Sequence, residues 1–192
     1  INDLLTLARS EAGALEFRPD VFCVQDLLEE VLDLESQNAY EKGLRLSIHA
    51  PIEPIFATAD SGRLTQILGN LTSNAIKYTE RGGVLLALRG TPARPRLEVW
   101  DTGIGIPDHE QSQIYEEFYK VPTSGTEEGF GLGLAIVRRL SERLGYTVSL
   151  RSRAGRGTVF RVLVPPLPAP NPSLRNSAAR SSGQSAGSAS GS

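Results

Sequence analysis

The period of the apolar residues switches repeatedly along this chain between the spacing of a helix face and the alternation of a strand. From Gln25 to Lys42, the apolar positions Leu27, Leu28, Val31, Leu32 and Leu34 recur at helical spacing, and Gly43 marks the end of the run. Asp60 or Ser61 can cap a further helix that continues to about Thr79, with Leu64, Ile67, Leu68, Leu71 and Ala75 on its apolar side. A last helical pattern covers about Leu132 to Leu144 and stops at Gly145. Between these lie an extended lead-in at 16–24, an alternating run from Leu44, strands near Val84–Arg89 and Arg96–Trp100, and a closing pair at Thr147–Ser152 and Thr158–Val164 joined by the turn AGRG. Strands first separated by helices and then neighbouring one another predict an α/β (α+β) two-layer sandwich. Its sheet is mixed and mostly antiparallel, backed on one face by about three helices.

A length of 192 residues suits one such domain with appended segments. The pattern divides the chain into 1–15, the end of a longer helix; 16–167, the domain; and 168–192, rich in Pro, Ser and Gly and predicted to be a disordered linker. With 20 basic against 22 acidic residues, nothing in the overall charge favours nucleic acid or an acidic membrane surface. The single cysteine, Cys23, excludes an internal disulfide framework. The absence of methionine and the start at Ile1 give the expectation of a piece cut from a longer protein.

Three constellations carry chemistry. In NLTSNAIKYT, residues 70–79, Asn70, Asn74 and Lys77 fall within roughly 60° of one another on a helix, at the edge of its apolar side. Carboxamides there can offer oxygen to a hard cation and N–H to phosphate, and Lys77 adds a positive charge. The same asparagines would equally suit an ordinary amphipathic helix. In DTGIGIP, residues 101–107, Asp101 follows an apolar strand, so its carboxylate stands at a strand end where it can accept a hydrogen bond from an exocyclic amine. Gly103 and Gly105 let a flat ring approach the backbone, although a plain Gly/Pro turn has the same composition. In GFGLGLAIV, residues 129–137, glycines beside a helix start expose backbone N–H groups to an anion, or else form a hinge. The run from Thr102 to Gly129 is long and irregular, as functional lids are. Ile114, Tyr115, Phe118 and Tyr119 are expected to dock it on the core.

The order of these segments resembles the sensor histidine kinases. NLTSNAIKYT looks like their N box, DTGIGIP like the G1 box, YEEFYK like the F box and GFGLGL like the G2 box, and SRAGRGTVF is similar to the strand-turn-strand that completes their nucleotide pocket. The resemblance covers about residues 1–165 and implies the Bergerat ATP-binding fold with ATP and Mg²⁺ as cofactors. By it, Asn74 would hold Mg²⁺ against the phosphates, with Asn70 beside it in the catalytic set. Asp101 would bind the adenine amine, supported by Thr158. Lys77 and Tyr78 would approach the phosphates and the purine side. Gly103, Gly105, Ile106 and Tyr119 would line the nucleotide site. Lys120 would stand near the γ-phosphate as the third catalytic residue, and Gly131, Leu132, Gly133 and Leu134 would cradle phosphate.

The resemblance further implies a protein-histidine kinase catalytic domain acting on a histidine of a dimerisation domain. Neither His49 nor His109 has the sequence context of that acceptor. The expected partners are therefore the missing dimerisation and phosphoacceptor domain, a response regulator or fused receiver domain, and a second protomer in the intact homodimer. The expected location is cytoplasmic, within a parent protein that an inner-membrane anchor could hold. Two alternatives stand beside this reading: a non-catalytic nucleotide-binding module, and a Bergerat-type ATPase. The ATPase is disfavoured by Asn70, since related hydrolases carry a glutamate there and an amide is a poor general base.

Overall fold

The computed structural model describes residues 16–91, 94–119 and 131–164. In chain order the elements are β1 (Asp20–Cys23), α1 (Val24–Glu41), β2 (Arg45–His49), β3 (Phe56–Ala59), α2 (Ser61–Lys77), β4 (Gly83–Thr91), β5 (Arg94–Asp101), α3 (Gly133–Leu144), β6 (Thr147–Ser152) and β7 (Thr158–Leu163). Five strands form one sheet in the order β2-β4-β5-β7-β6. The β2–β4 pair is parallel and the others are antiparallel. This is the mixed, mostly antiparallel sheet and three-helix layer that the alternating periods predict.

Two features differ from the sequence reading. A small separate sheet pairs β1 with β3, and β3 is a strand that the periodicity did not reveal. Its four residues, FATA, lie between Pro54 and Asp60, too short a run for alternation to register. The β4–β5 hairpin is also longer than expected, with pairing carried out to Thr91 and Arg94.

The helix layer and one sheet face share a single core. Leu28, Val31, Leu64, Ile67, Leu68, Leu71, Ile136 and Leu140 meet Leu86, Leu88, Leu97, Val99, Phe160 and Val162 there. Burying side chains of this size stabilises by about 1.5–3 kcal/mol each relative to exposure. Helix α2 carries the amide-bearing sequence, and both of its ends are tied down. Asp60 is its N-cap, accepting from the Arg63 amide at 3.0 Å. Asp20 accepts from the Ser61 amide at 3.0 Å and its hydroxyl at 2.8 Å. At the other end Lys42, which follows α1, donates to the carbonyls of Ile76 (3.0 Å), Lys77 (2.6 Å) and Thr79 (3.4 Å). A cation there satisfies helix-terminal carbonyls and opposes the negative end of the dipole.

The segment after β5 is described as far as Tyr119 and again from residue 131; the rest of the expected lid, the segment 1–15 and the tail 168–192 lie outside the described residues. Ile114 is buried, and Tyr115 and Tyr119 pack against the core. Phe118 does not dock as expected and is 62% exposed. Its amide donates to the Gly131 carbonyl at 3.1 Å with φ at +63°, and that left-handed turn directs the side chain outward. No helix among the described residues is long and apolar enough to cross a membrane.

Candidate functional site

Helix α2, the end of β5, the start of β7 and the start of α3 converge on one cleft that opens to solvent. Asn74, Tyr78, Asp101, Gly105, Ile106, Tyr119, Leu134 and Thr158 all line it. Three constellations separated along the sequence thus meet at one concavity. Its floor is apolar, supplied by Ala75, Ile104, Ile114 and Phe160.

Asp101 is placed by strand register. It pairs with Val84 on the core face of the sheet, so its carboxylate enters the cleft between sheet and helices. Oδ1 accepts from the backbone amides of Gly103 at 2.8 Å and Thr158 at 3.1 Å. Among the described residues, no hydrogen bond engages Oδ2. Burial pushes the carboxyl above its ordinary range, and the two amide donors offset this only in part. A desolvated carboxylate with one oxygen held and the other directed at an apolar slot accepts strongly from a flat ligand's N–H.

The backbone around Asp101 needs its glycines. A Cβ on Gly103 would collide with the Tyr78 carbonyl, so the loop passes against the end of α2 only with glycine there. Gly105 has φ +66° and lies against the Arg153 carbonyl. Ser152 joins this loop to the β6–β7 hairpin. Its hydroxyl accepts from the Ile106 amide at 2.7 Å and lies 2.8 Å from Thr158 Oγ1. The Gly155 amide adds a bond to the Ile104 carbonyl at 2.7 Å. Sequence reasoning missed Ser152, because a serine in an alternating strand carries no spacing signal.

The opposite end of the cleft is rich in donors. Helix α3 begins at Gly133 with Leu132 as N-cap, no side-chain cap and no acidic residue in its first turn. Its first residue lies against the carboxamides of α2: the position a Cβ would take on Gly133 is 3.3 Å from Asn70 Oδ1 and 3.4 Å from Asn74 Nδ2. Asn70 Nδ2 donates to the Gln66 carbonyl at 3.0 Å, which orients its oxygen toward α3. An uncapped helix start facing two carboxamides is an anion site with oxygen available for a hard cation. These donors therefore fit a polyphosphate with its metal. Lys77 lies nearby, with Nζ 3.4 Å from the Tyr78 hydroxyl and 4.9 Å from its ring centroid.

Gly131 and Leu132 serve as framework. The Gly131 carbonyl accepts from Phe118, and Leu132 is buried in the core. Lys120 lies outside the described residues. Among the described residues, no cluster of His, Cys, Asp or Glu could hold a metal on protein ligands alone.

A mixed five-stranded sheet, a helix layer on one face and a cleft ended by Asp101 and the Asn70–Asn74 pair define a Bergerat-type ATP-binding sandwich. The chain belongs to the family of histidine kinase-, DNA gyrase B- and HSP90-like ATPases, which matches residues 59–169. Its relatives place it with the sensor histidine kinases. It is 35% identical over 168 residues to the signal transduction histidine-protein kinase BarA of Escherichia coli, across 83% of this chain and 18% of BarA. It is 33% identical over 173 residues to the hybrid signal transduction histidine kinase B of Dictyostelium discoideum, across 86% of this chain and 9% of the relative. The structure of full-length ShkA in complex with AMPPNP superimposes with a TM-score of 0.76 at 38% identity, covering 89% of this chain and 36% of ShkA. The chain thus spans less than a fifth of the length of each of these two relatives.

Proposed function

We propose that this domain binds Mg–ATP in the cleft and donates the γ-phosphoryl group to a histidine on a dimerisation domain. The observation that carries the reading is the cleft's polarity: a desolvated carboxylate at one end and an uncapped helix start with two carboxamides at the other. Asp101 accepts from the adenine amine, with Thr158 and Ser152 holding that side, while Gly105, Ile106, Tyr78 and Tyr119 enclose the base. Asn74 supplies oxygen to Mg²⁺, and Asn70 and the first amides of α3 at Gly133 and Leu134 hold phosphate. Lys77 and Lys120 add positive charge near the phosphates. When bound, Mg²⁺ neutralises charge on the transferring group; the residues contribute positioning, which is most of what phosphoryl transfer asks of a protein. Asn70 offers no carboxylate to activate water, which favours transfer over hydrolysis.

Residues 1–15 are the end of a dimerisation helix in this proposal, and the intact protein is a homodimer that passes phosphate to a receiver domain. The match to a hybrid kinase supports a fused receiver. Calorimetric titration with ATP, with and without Mg²⁺, tests the site. Wild type should bind in a Mg-dependent manner, and Asn74→Ala should lose that dependence. Failure of the wild-type chain to bind adenine nucleotide at millimolar concentration would refute the assignment.

A further inference from the structure

The helices cover one face of the five-stranded sheet, and among the described residues none covers the other. Strand register assigns that second face. One row across it runs Ser47, Leu85, Trp100, Val159 and Arg151, and the next runs His49, Ala87, Glu98, Arg161 and Ser149. Arg45, Arg89 and Arg96 share the face. With Arg94, which pairs with Thr91 on the same side, it thus carries six arginines and no lysine against a single acid, Glu98, which is only 2% exposed. The acid is consumed internally: Arg96 and Arg161 bracket it at 2.8 and 3.1 Å, and Trp100 Nε1 donates to it at 2.9 Å. The central Trp100 ring remains 39% exposed. Arginines around a tryptophan form the residue chemistry of protein-binding hot spots. A buried carboxylate at the centre of the patch disfavours phosphate chains.

The matching surface lies on the opposite side of the same molecule. On α1, at 100° per residue, Asp26, Glu29, Glu30, Asp33 and Glu41 fall on one face about 140° wide. Leu34, 61% exposed, and Tyr40, 80% exposed, share that face. The acidic, apolar-studded stripe is thus directed away from the core that α1 helps to build. With a formal net charge of only −2, the chain is separated into an acidic helix side and a basic sheet side.

We propose that the uncovered sheet face docks the acidic face of α1 of a second copy of this chain, head to tail. An 18-residue helix is about 27 Å long. Five strands are about 19–24 Å across. One helix therefore crosses the whole face and places its carboxylates over the arginines of both edge strands, Arg45 on β2 and Arg151 on β6. Such a contact lies at the small end of protein interfaces and is weak between separate molecules. Tethering two copies raises their effective concentration to the millimolar range. The proposal is independent of the nucleotide reading, because Asp101 is directed at the opposite face of the sheet.

Sedimentation analysis of the chain over tens to hundreds of micromolar, at low and high salt, tests it. Wild type should show an average mass that rises with concentration and falls with salt. Arg45→Glu with Arg151→Glu, and separately Glu29→Lys with Asp33→Lys, should each weaken association at least tenfold. All four positions are exposed and lie outside the core, and circular dichroism with ATP titration confirms that each variant is folded. Mixing the two reversed variants should restore association, since each then presents the other with opposite charge. A wild-type chain that stays monomeric throughout would overturn the proposal. So would association indifferent to both reversals or not restored by mixing. Binding of RNA or anionic vesicles through the arginines, with the chain still monomeric, would also overturn it.

Discussion

Asp101 bears the heaviest demand of any single residue, because it is a carboxylate held in a partly desolvated slot with only Oδ1 supplied with donors. Replacing it by Asn keeps the shape and removes the charge that a ligand amine would meet. Loss of a charge-assisted hydrogen bond costs about 1.5–3 kcal/mol. Asp101→Asn should therefore weaken ATP binding roughly 10- to 150-fold by calorimetry, and unchanged affinity would remove Asp101 from the adenine role. The same residue sets a pH dependence. Its folded-state pKa is raised, so its proton binds more tightly in the fold than in the unfolded chain. That contribution to stability is fully present below the ordinary aspartate value near 4 and is lost as pH rises through the folded value. Nucleotide binding needs the ionised form and runs the other way. Affinity should start to fall on acidification at a higher pH than an ordinary aspartate would give, and Asp101→Asn should lack that acid limb. That Asp101 and Asn74 stand at a cleft was legible in the sequence, because a strand end and helical spacing are local properties, whereas Thr158 entered only through the resemblance. Ser152 and the outward turn of Phe118 were not legible, since one is defined by its neighbours across the sheet and the other by a bond to Gly131.

Helix α2 connects the fold to the site, and its C-terminus is held from outside by Lys42. The lysine reaches three carbonyls there while following a different helix, so α1 and α2 are clamped where Tyr78 enters the cleft. Lys42→Met keeps most of the side-chain length and removes the charge. It should lower unfolding stability by about 1 kcal/mol in urea titration, with a modest loss of nucleotide affinity through the loosened end of α2. No change in either would show the clamp to be dispensable. The three helices and the five strands of the main sheet follow from apolar period and from stops such as Gly43 and Gly145, both at positive φ. The β1–β3 pair did not show in that way. It depends on pairing between residues more than 30 apart, beside which Gln25 Nε2 donates to the Pro51 and Glu53 carbonyls, at 3.2 and 2.7 Å, and its oxygen accepts from the Ile55 amide at 3.0 Å. A glutamine in a helical pattern does not announce such a role.

At the scale of the whole molecule, one core joins three helices to one sheet face, and the nucleotide cleft opens at the edge of that core. Residues 168–192 contribute Leu174 as their only large apolar side chain. Deleting them should leave both the thermal midpoint and ATP affinity within error of the full chain, and a fall of several degrees would assign the tail a packing role. Phosphoryl donation to a histidine held on another domain is checked by labelled transfer. The chain should be incubated with γ-labelled ATP and Mg²⁺, alone and with a separately supplied dimerisation domain from its parent protein. The chain itself should take up no stoichiometric label, and a histidine of the added domain should carry acid-labile, base-stable label that is lost in Asn74→Ala. Stoichiometric label on His49 or His109, or ATP turned over to inorganic phosphate with none on the added domain, would contradict this transfer.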